Sequence, residues 1–282
     1  MKAEGSAVVT GASRGIGRAV SLELARRGFS VVATMRNPDD GADLADCLGD
    51  VAGSITVERL DIREIGDFSF PDDLQVLVNN AGNKCGNTPV EETSMADWRD
   101  VFETNVFGTV EMTKRAVPVM RAGGGVICNV TSSSMLSILP FFSTYRASKA
   151  AISVMNETLR VELAPFGIRV VEILPGPIDT NMFRTSVVFK LPEAARFEPY
   201  RQVCEEHFPA SKFVSIGLIT PPAQAAEAIC DAIFDDDGPM RYGCDEMSVK
   251  SLEAWRSSDD EGPMRQAVDH FTPGAPTRVT GS

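Results

Sequence analysis

A buried strand, a glycine-rich turn and a helix follow one another at the amino terminus, and this order indicates an α/β sheet. Residues 7–10 are apolar and β-branched, and a helical pattern begins after Gly17. Between them lies Gly11-Ala12-Ser13-Arg14-Gly15-Ile16-Gly17, whose glycines let the backbone turn tightly and approach a pyrophosphate. A second apolar strand at 29–34 completes the start of a βαβ unit. The amino terminus therefore predicts a dinucleotide site.

Strand-like apolar segments alternate with longer helical patterns along the chain. The predicted strands are 6–10, 30–35, 55–60, 75–79, 125–130 and 168–174, with 240–243 as a further candidate. This alternation predicts one doubly wound parallel sheet with helices on both faces, the Rossmann fold. No linker-like composition divides the chain, so we expect a single domain over 1–282, with the cofactor and catalytic core at 3–180. We also predict a disordered tail at 271–282.

The segment Tyr145-Arg146-Ala147-Ser148-Lys149 carries the residues for proton transfer. On a helix, Tyr145 and Lys149 lie at i and i+4 on one face, so the ammonium can lie beside the phenol. A phenol with an unperturbed pKa near ~10 is a poor acid or base at neutral pH, and a neighbouring cation favours the phenolate. We therefore expect Lys149 to lower the pKa of Tyr145 and make it a usable catalytic acid.

With these motifs in view, the chain resembles the short-chain dehydrogenase/reductase family, in the form that has a Gly-x-x-x-Gly-x-Gly turn. Thr10 to Gly17 match that turn, and further motifs follow in the family's order. They are Asp61-Ile62 after the third strand, Asn79-Asn80-Ala81-Gly82 after the fourth, Asn105, Ser132, Tyr145, Lys149, and Pro175-Gly176-Pro177-Ile178-Asp179-Thr180 after the sixth. The resemblance covers residues 3–182 closely and the remainder loosely.

The resemblance implies a catalytic set of Asn105, Ser132, Tyr145 and Lys149. Tyr145 would exchange a proton with the carbonyl or alcohol oxygen, and Ser132 would orient that oxygen. Lys149 would also hold the nicotinamide ribose, and Asn105 would secure a water that links Lys149 to solvent. Ser132 lies in a run of small hydroxyl residues at 131–134 that is also ordinary in loops, and the family's spacing from Tyr145 selects it.

The resemblance also implies a cofactor site beyond the carboxyl ends of the strands. Asp61 and Ile62 would lie at the adenine, and Pro175 and Gly176 would shape the wall beside the nicotinamide. Thr180 would bond the carboxamide or, alternatively, cap a helix. The predicted cofactor residues are Gly11, Ser13, Arg14, Gly15, Ile16, Gly17, Arg36, Asp61, Ile62, Asn79, Ala81, Gly82, Tyr145, Lys149, Pro175, Gly176, Ile178 and Thr180.

The end of the second strand predicts which cofactor is bound. In NAD-preferring members of the family an acidic residue there receives the adenosine ribose hydroxyls, and this chain has Met35 at that position. Arg36 follows it and Arg14 lies in the glycine turn, so two guanidiniums could fork onto a 2′-phosphate. The alternative is that Arg36 points to solvent and Arg14 stacks on adenine. We expect NADP(H).

Apolar and aromatic residues cluster at 180–214, the place of the family's variable lid, and at 135–142. Such clustering predicts a bulky apolar small-molecule substrate. The same residues would also suit a helix core or a subunit contact. The resemblance implies a helical substrate lid at 181–215. The Arg36-Asn37-Pro38 context and the length of this lid are similar to branches of the family that act on steroids, retinoids or polycyclic metabolites, so the resemblance implies a steroid-, retinoid- or polyketide-like substrate. The candidate substrate residues are Met135, Phe141, Phe142, Phe183 and Phe189.

Bulk properties limit the partners. The net charge of −12 argues against nucleic acid, and the six cysteines show no ligand spacing that would predict a metal site. Neither a leader nor an apolar run of bilayer length is evident, so we expect a cytoplasmic protein without membrane contact. Apolar residues on several faces of the helices at 97–120 and 147–166 predict a homodimer or homotetramer, as is common in the family.

Three functions remain open. An NADPH-dependent oxidoreductase that interconverts a ketone or aldehyde and an alcohol is favoured, because the whole asparagine, serine, tyrosine and lysine set is present. A non-redox lyase, epimerase or cyclase could use the same scaffold and tyrosine. A cofactor-sensing or scaffold protein would typically lack part of the set.

Overall fold

The parallel sheet predicted from the sequence is confirmed. The structure is a computed structural model that describes residues 1–185, 193–207 and 219–259, together with Met264 and Val268. In the described residues the strand order is β3-β2-β1-β4-β5-β6-β7, all parallel. Each strand begins and ends within one residue of its prediction. The strands are β1 (Ser6–Thr10), β2 (Ser30–Met35), β3 (Ser54–Arg59), β4 (Leu74–Asn79), β5 (Gly125–Val130), β6 (Ile168–Leu174) and β7 (Arg241–Gly243).

Helices connect the strands on both sides of this sheet. They are α1 (Gly15–Arg26), α2 (Met95–Phe102), α3 (Thr109–Met120), α4 (Ser143–Leu163), α5 (Asn181–Arg184), α6 (Glu198–His207), α7 (Pro222–Phe234) and α8 (Glu246–Ser257). A π-helical turn, Glu103–Gly108, joins α2 to α3. Short 3₁₀ turns are Pro38–Gly41, Val90–Glu92, Ser133–Met135, Ala164–Phe166 and Glu193–Arg196.

Two apolar cores lie on opposite faces of the sheet. On one face Leu24 and Phe29 pack with Ile229 of α7, and all three side chains are fully buried. On the other face Leu77 packs with Met112 of α3 and with other residues of that core. Each such side chain stabilises the fold by roughly 1.5–3 kcal/mol relative to an exposed one. Both strand faces are therefore covered, which is why the central strands read as continuous apolar runs.

The strand order reverses between β1 and β4, and this reversal positions the site. Chain connections leave β1 and β4 toward opposite faces of the sheet, so a crevice opens beyond their carboxyl ends. The glycine turn follows β1, and the Asn79 to Gly82 segment follows β4. Ser132 follows β5, and Pro175 follows β6. Parallel strands thus bring motifs from four distant parts of the sequence to one edge.

Helical pieces follow β6 in the region predicted as a lid. The described part of that region contains α5, the 3₁₀ turn Glu193–Arg196 and α6. Phe189 and the predicted tail at 271–282 lie outside the described residues. In the described part of the chain, no helix combines the length and apolar character needed to cross a membrane. The same part contains no group of three His, Cys, Asp or Glu side chains placed to hold a metal ion.

Candidate active site

The glycine turn adopts a backbone that only glycine accommodates without strain. Gly11 and Gly15 have φ of +66° and +58°. A Cβ on Gly11 would lie 2.8 Å from the Cα of Ala81, and one on Gly17 would lie 2.4 Å from Asn80 Nδ2. The side chain of Arg14, at the amino-terminal cap of α1, makes no capping hydrogen bond, so the first N–H groups of the helix can bind an anion. The turn is thus pressed against the end of β4 with a helix amino terminus beside it.

Asn80 fastens this turn, and sequence reasoning did not include it among the site residues. Its Nδ2 donates to the carbonyls of Thr10 at 2.9 Å and Gly11 at 3.2 Å. The Thr10 hydroxyl in turn accepts from the backbone N–H groups of Asn80 and Ala81, both at 3.0 Å. The only sequence signal was the asparagine doublet after a buried strand. Asn80 therefore couples the ends of β1 and β4.

Two exposed arginines border the crevice where the 2′-phosphate of a cofactor was expected. Arg14 precedes α1 and Arg36 follows β2, and both side chains line the cavity. In the described part of the chain neither forms an ion pair with a carboxylate. Met35 is buried, 3% exposed, so no acidic group occupies the end of β2. The arrangement presents two guanidinium groups to an anion in the cavity.

Asp61 and Ile62 form the next part of the wall. The Asp61 carboxylate accepts from the backbone N–H of Arg63 at 3.0 Å, so it shapes its own turn. Ile62 is buried against Gly108, where a Cβ would lie 2.8 Å from Ile62 Cγ1. The π-helical turn is thereby packed under the expected adenine end of the cavity.

Asn105 lies within the π-helical turn and joins the β4 loop to α4. Its Oδ1 accepts from the backbone N–H of Asn83 at 2.8 Å. Its Nδ2 donates to the Asn83 carbonyl and to Ser148 Oγ, both at 2.9 Å. Ser148 Oγ donates to the Tyr145 carbonyl at 2.7 Å. The Asn105 side chain is thus fully engaged with the protein and holds the helix that carries Tyr145.

Tyr145 and Lys149 share one face of α4, as their spacing predicts. Lys149 Nζ lies 5.9 Å from the centroid of the Tyr145 ring and donates to the Val130 carbonyl at 2.9 Å. Burial lowers the pKa of Lys149 to about 8, although the charge of Glu172 acts in the opposite direction. The ammonium is therefore close to its titration point under physiological conditions.

The expectation that Lys149 lowers the pKa of Tyr145 is wrong for this structure. Burial raises the pKa of the phenol above its usual value, and a hydrogen bond with Ser132 offsets part of that rise. The ammonium lies beside the ring and bonds to a backbone carbonyl, so it does not reverse the effect of burial. Tyr145 is accordingly a protonated donor at neutral pH.

Ser132 begins the 3₁₀ turn after β5, and its Oγ accepts from the backbone N–H of Ser134 at 3.2 Å. Arg146, which follows Tyr145 in the sequence, holds this turn from α4. Its guanidinium donates to the carbonyls of Ser134 at 2.8 Å and Met135 at 3.2 Å. Arg146 was not predicted as a site residue. It links the serine turn directly to the helix of Tyr145.

Asn79 lies behind the cavity wall. Its Nδ2 donates to Asn129 Oδ1 at 2.8 Å and to Thr113 Oγ1 at 3.2 Å, and Asn129 Nδ2 donates to Asn156 Oδ1 at 2.5 Å. All four side chains are buried. This row of polar side chains ties β4 and β5 to α3 and α4. Asn79 therefore supports the sheet and does not line the cavity, although the resemblance implied that it is a cofactor residue.

The segment after β6 is held by contacts with neighbouring loops. The Pro175 carbonyl accepts from the backbone N–H of Ser133 at 3.0 Å. Ile178 is buried and pairs with Thr220 in an isolated parallel bridge. Thr180 Oγ1 accepts from the backbone N–H of Phe183 at 3.2 Å and so caps α5. The helix-capping alternative for Thr180 is therefore the one the structure shows.

These elements enclose a cavity of about 840 Å³. Its volume suits a dinucleotide together with a second ligand. Ser132, Tyr145 and Lys149 line it, whereas Asn105 lies behind. The predicted cofactor residues line it as well, except for Gly17 and Asn79.

The substrate candidates divide into two groups. Phe142 and Phe183 line the cavity, whereas Met135 does not. Phe141, at φ +66°, lines a small neighbouring pocket and packs edge to face on Tyr200, with ring centroids 5.6 Å apart. Sequence reasoning missed several apolar or small residues of the wall, which come from loops, from α5 and from α8. They are Leu139, Met182, Ile219, Met247 and Ser251.

Comparison with known proteins agrees with this arrangement. Residues 6–188 match the family model for short chain dehydrogenase. The uncharacterized oxidoreductase YusZ of Bacillus subtilis is 40% identical over 191 residues, which cover 64% of this chain and 68% of the relative. The NADPH-dependent 1-acyldihydroxyacetone phosphate reductase of Schizosaccharomyces pombe is 34% identical over 229 residues, 77% of this chain and 76% of the relative.

A solved structure gives the same result. A short chain dehydrogenase from Burkholderia cenocepacia, in complex with NADP, superimposes with a TM-score of 0.68 and 28% sequence identity. The match covers 97% of this chain and 100% of the other. Because the family model spans well over half of the sequence, from β1 to beyond the β6 turn, this chain belongs to the short-chain dehydrogenase family.

Proposed function

We propose that this protein is an NADP(H)-dependent oxidoreductase that interconverts a ketone or aldehyde and an alcohol. One observation carries the proposal: the Tyr145 phenol, bonded to Ser132 and beside Lys149, faces the same cavity as the glycine turn. A proton donor and a dinucleotide cradle thus share one space. That combination is what carbonyl reduction needs.

The residues present fit NADP(H). A Cβ on Gly11 would lie 2.8 Å from Ala81 Cα and one on Gly15 would lie 3.0 Å from Thr180 Cγ2, so the glycines allow the turn to pack closely against the neighbouring loops, and the amino terminus of α1 offers N–H groups to a pyrophosphate. Arg14 and Arg36 would bind the 2′-phosphate. The end of β2 carries the uncharged Met35, so no carboxylate at that position would repel the phosphate. The relatives named as NADPH-dependent and the NADP complex support this choice. When bound, the cofactor supplies or accepts the hydride.

Tyr145 would give its proton to the carbonyl oxygen as that oxygen gains negative charge. Its raised pKa keeps the phenol protonated at neutral pH, which is the form that reduction requires. Ser132 would donate a hydrogen bond to the same oxygen and hold it within reach of Tyr145. Lys149, whose ammonium lies beside the ring, would stabilise the phenolate left after transfer. In the oxidation direction the same groups would act in reverse.

A bulky apolar carbonyl compound is the substrate class that the wall favours. Phe142, Phe183, Met182 and Ile219 present apolar surface beyond the proton donor. The reductase of Schizosaccharomyces pombe is named for 1-acyldihydroxyacetone phosphate, and an apolar wall would suit the acyl group of such a ketone but not its phosphate. We propose ketones of the steroid, retinoid or polyketide kind, with residues 181–215 as the lid over them.

Assembly as a homodimer or homotetramer also belongs to this proposal. Phe107, Val154 and Val161 are 56%, 63% and 76% exposed on the outer faces of the π-helical turn and α4. Val101 of α2 and Ile152 of α4 are apolar residues of the same predicted surface, but both are buried in the protomer. Exposed apolar residues on neighbouring helices are typical of a subunit contact.

The decisive experiment follows NADPH absorbance at 340 nm with a panel of bulky apolar ketones and aldehydes, and runs NADH in parallel. We expect oxidation of NADPH, and little or none of NADH.

Tyr145→Phe keeps the ring and removes the proton, so it should lower turnover by about 10²–10⁴-fold while NADPH binding, measured by fluorescence, persists. Retained turnover in Tyr145→Phe would exclude the phenol as the acid. Tight NADPH binding without oxidation of any compound would favour a non-redox reaction on this scaffold.

A further inference from the structure

Glu172 is a fully buried carboxylate that the proposed reaction does not use directly. It lies on β6, and its side chain has no exposed surface. Thr131 Oγ1 donates to Oε1 at 2.8 Å, whereas Ser153 Oγ and Arg241 Nε donate to Oε2 at 3.0 Å and 2.9 Å. A buried carboxylate costs several kcal/mol unless such donors compensate it. The chain therefore maintains a costly charge at this position.

Two of the three donors come from the elements that hold the catalytic residues, and the third, Arg241, comes from β7. Thr131 directly precedes Ser132 at the end of β5. Ser153 lies one turn beyond Lys149 on α4, so Tyr145, Lys149 and Ser153 follow one another at i, i+4 and i+8 on one face. A single carboxylate thus ties the strand that leads to Ser132 to the helix that carries the other two groups.

We propose that Glu172 is a positioning residue of this site: its carboxylate holds the ends of β5 and α4 in register and sets a negative charge at Ser153, one helical turn from Lys149. That charge favours the ammonium form of Lys149 against the effect of burial. The inference rests on the proposed function, because it assigns a use to that charge. It goes beyond that function because Glu172 touches neither the cavity nor the reacting atoms.

The surroundings of Lys149 in the described residues make Glu172 the source of this effect. Tyr145 on the same helix is neutral at physiological pH, since burial raises its pKa. Glu172 is the group whose charge raises the pKa of Lys149 against the opposing effect of burial. Arg241 of β7 lies behind Glu172, and Glu157 of α4 contacts Arg241 at 2.6 Å from the solvent side.

Glu172→Gln tests the charge, because glutamine keeps the size of the side chain. Glu157→Gln is the matched control: it removes a carboxylate from the same arginine, but at a position that is 55% exposed. Glu172→Gln could leave Arg241 poorly paired and unstable. The double variant Glu172→Gln with Arg241→Met removes both buried charges and serves as the second test.

The first measurement is an NMR titration of protein labelled with ¹³C at lysine Cε, in which loss of the signal in Lys149→Arg identifies Lys149. We expect a wild-type midpoint of about 8. In Glu172→Gln and in the double variant the midpoint should fall by about one pH unit. In Glu157→Gln it should stay in place. An unchanged midpoint in both Glu172 variants would overturn the proposal.

The second measurement is kcat/KM for NADPH oxidation against pH. In Glu172→Gln the alkaline limb of this profile should shift to lower pH by the same amount as the Lys149 midpoint. Part of the activity should therefore return when the pH is lowered. An equal loss at every pH, with no movement of the limb, would show that the carboxylate is merely structural. If no substrate in the panel is reduced by the wild-type protein, the NMR titration still decides the role of Glu172. Failure of the proposed function and failure of this inference are therefore distinguishable.

Discussion

Asp245 accepts a hydrogen bond from the backbone N–H of Gly176, with 2.7 Å between N and Oδ2. The two residues are 69 positions apart in the sequence. Asp245 is buried and also caps α8, because its carboxylate accepts from the backbone N–H of Ser248 at 2.9 Å. One side chain therefore couples the start of a carboxyl-terminal helix to the cavity wall beside the expected nicotinamide.

Asp245→Ala should destabilise the protein and weaken cofactor binding together. Loss of the cap and of the bond to Gly176 should lower the free energy of unfolding by about 1–3 kcal/mol, and the KM for NADPH should rise. Ser94→Ala is the control, since Ser94 caps α2 by accepting from the Asp97 N–H at 3.0 Å away from the cavity wall. Denaturant melts and NADPH kinetics measure both effects. An equal rise of KM in Ser94→Ala would contradict the coupling.

Gly11→Ala and Gly49→Ala separate backbone strain from a steric clash. Both glycines have left-handed φ, +66° and +69°, so an alanine at either should cost about 1 kcal/mol or more. At Gly11 the new Cβ would also lie 2.8 Å from the backbone of Ala81, whereas at Gly49 nothing lies within 4 Å. We expect Gly11→Ala alone to weaken NADPH binding, by at least about tenfold or 1.4 kcal/mol. Isothermal titration calorimetry would measure this, and equal affinity in both variants would refute the clash.

Arg36→Asp should reverse the cofactor preference. A carboxylate at this position would repel a 2′-phosphate and could accept hydrogen bonds from ribose hydroxyls. The ratio of kcat/KM for NADPH to that for NADH should fall by about 10²-fold or more, which corresponds to about 3 kcal/mol. Arg99→Asp makes the same change of charge at an exposed residue of α2 that does not line the cavity. If both variants kept the wild-type ratio, Arg36 would have no part in cofactor choice.

Lys149→Met should be inactive yet more stable at neutral pH. The folded pKa of about 8 lies below the ordinary value of 10.5, so folding disfavours the ammonium at every pH below about 8. That penalty is lost as the pH rises from 8 to 10.5, because the unfolded chain then also releases the proton. After allowance for the lost bond to Val130, the variant should gain about 2 kcal/mol at pH 7 and less at pH 10. Chemical denaturation at both pH values checks this, and a less stable variant at pH 7 would contradict it.

The polar side chains that support the site show which of its features could not be predicted from the sequence. Thr10 to Gly17 indicated a turn because glycine requirements and strand or helix periods are local properties. Arg146 is one residue from Tyr145, yet its role depends on where the loop after Ser132 passes. Asp245 and Glu172 act on residues distant in the sequence, and no spacing rule links them to the site. Such contacts are fixed by how strands and helices pack.

The sequence by itself determined the parallel sheet, the glycine turn and the shared face of Tyr145 and Lys149, because each follows from backbone periodicity over a few residues. Only the tertiary structure decided the charge states at the site. The sequence placed a cation near Tyr145 and so predicted a lowered pKa, whereas burial raises it. Burial also lowers the pKa of Lys149 to about 8, and the charge of Glu172 opposes that shift. Desolvation depends on everything packed around a group, and that environment exists only after the chain has folded.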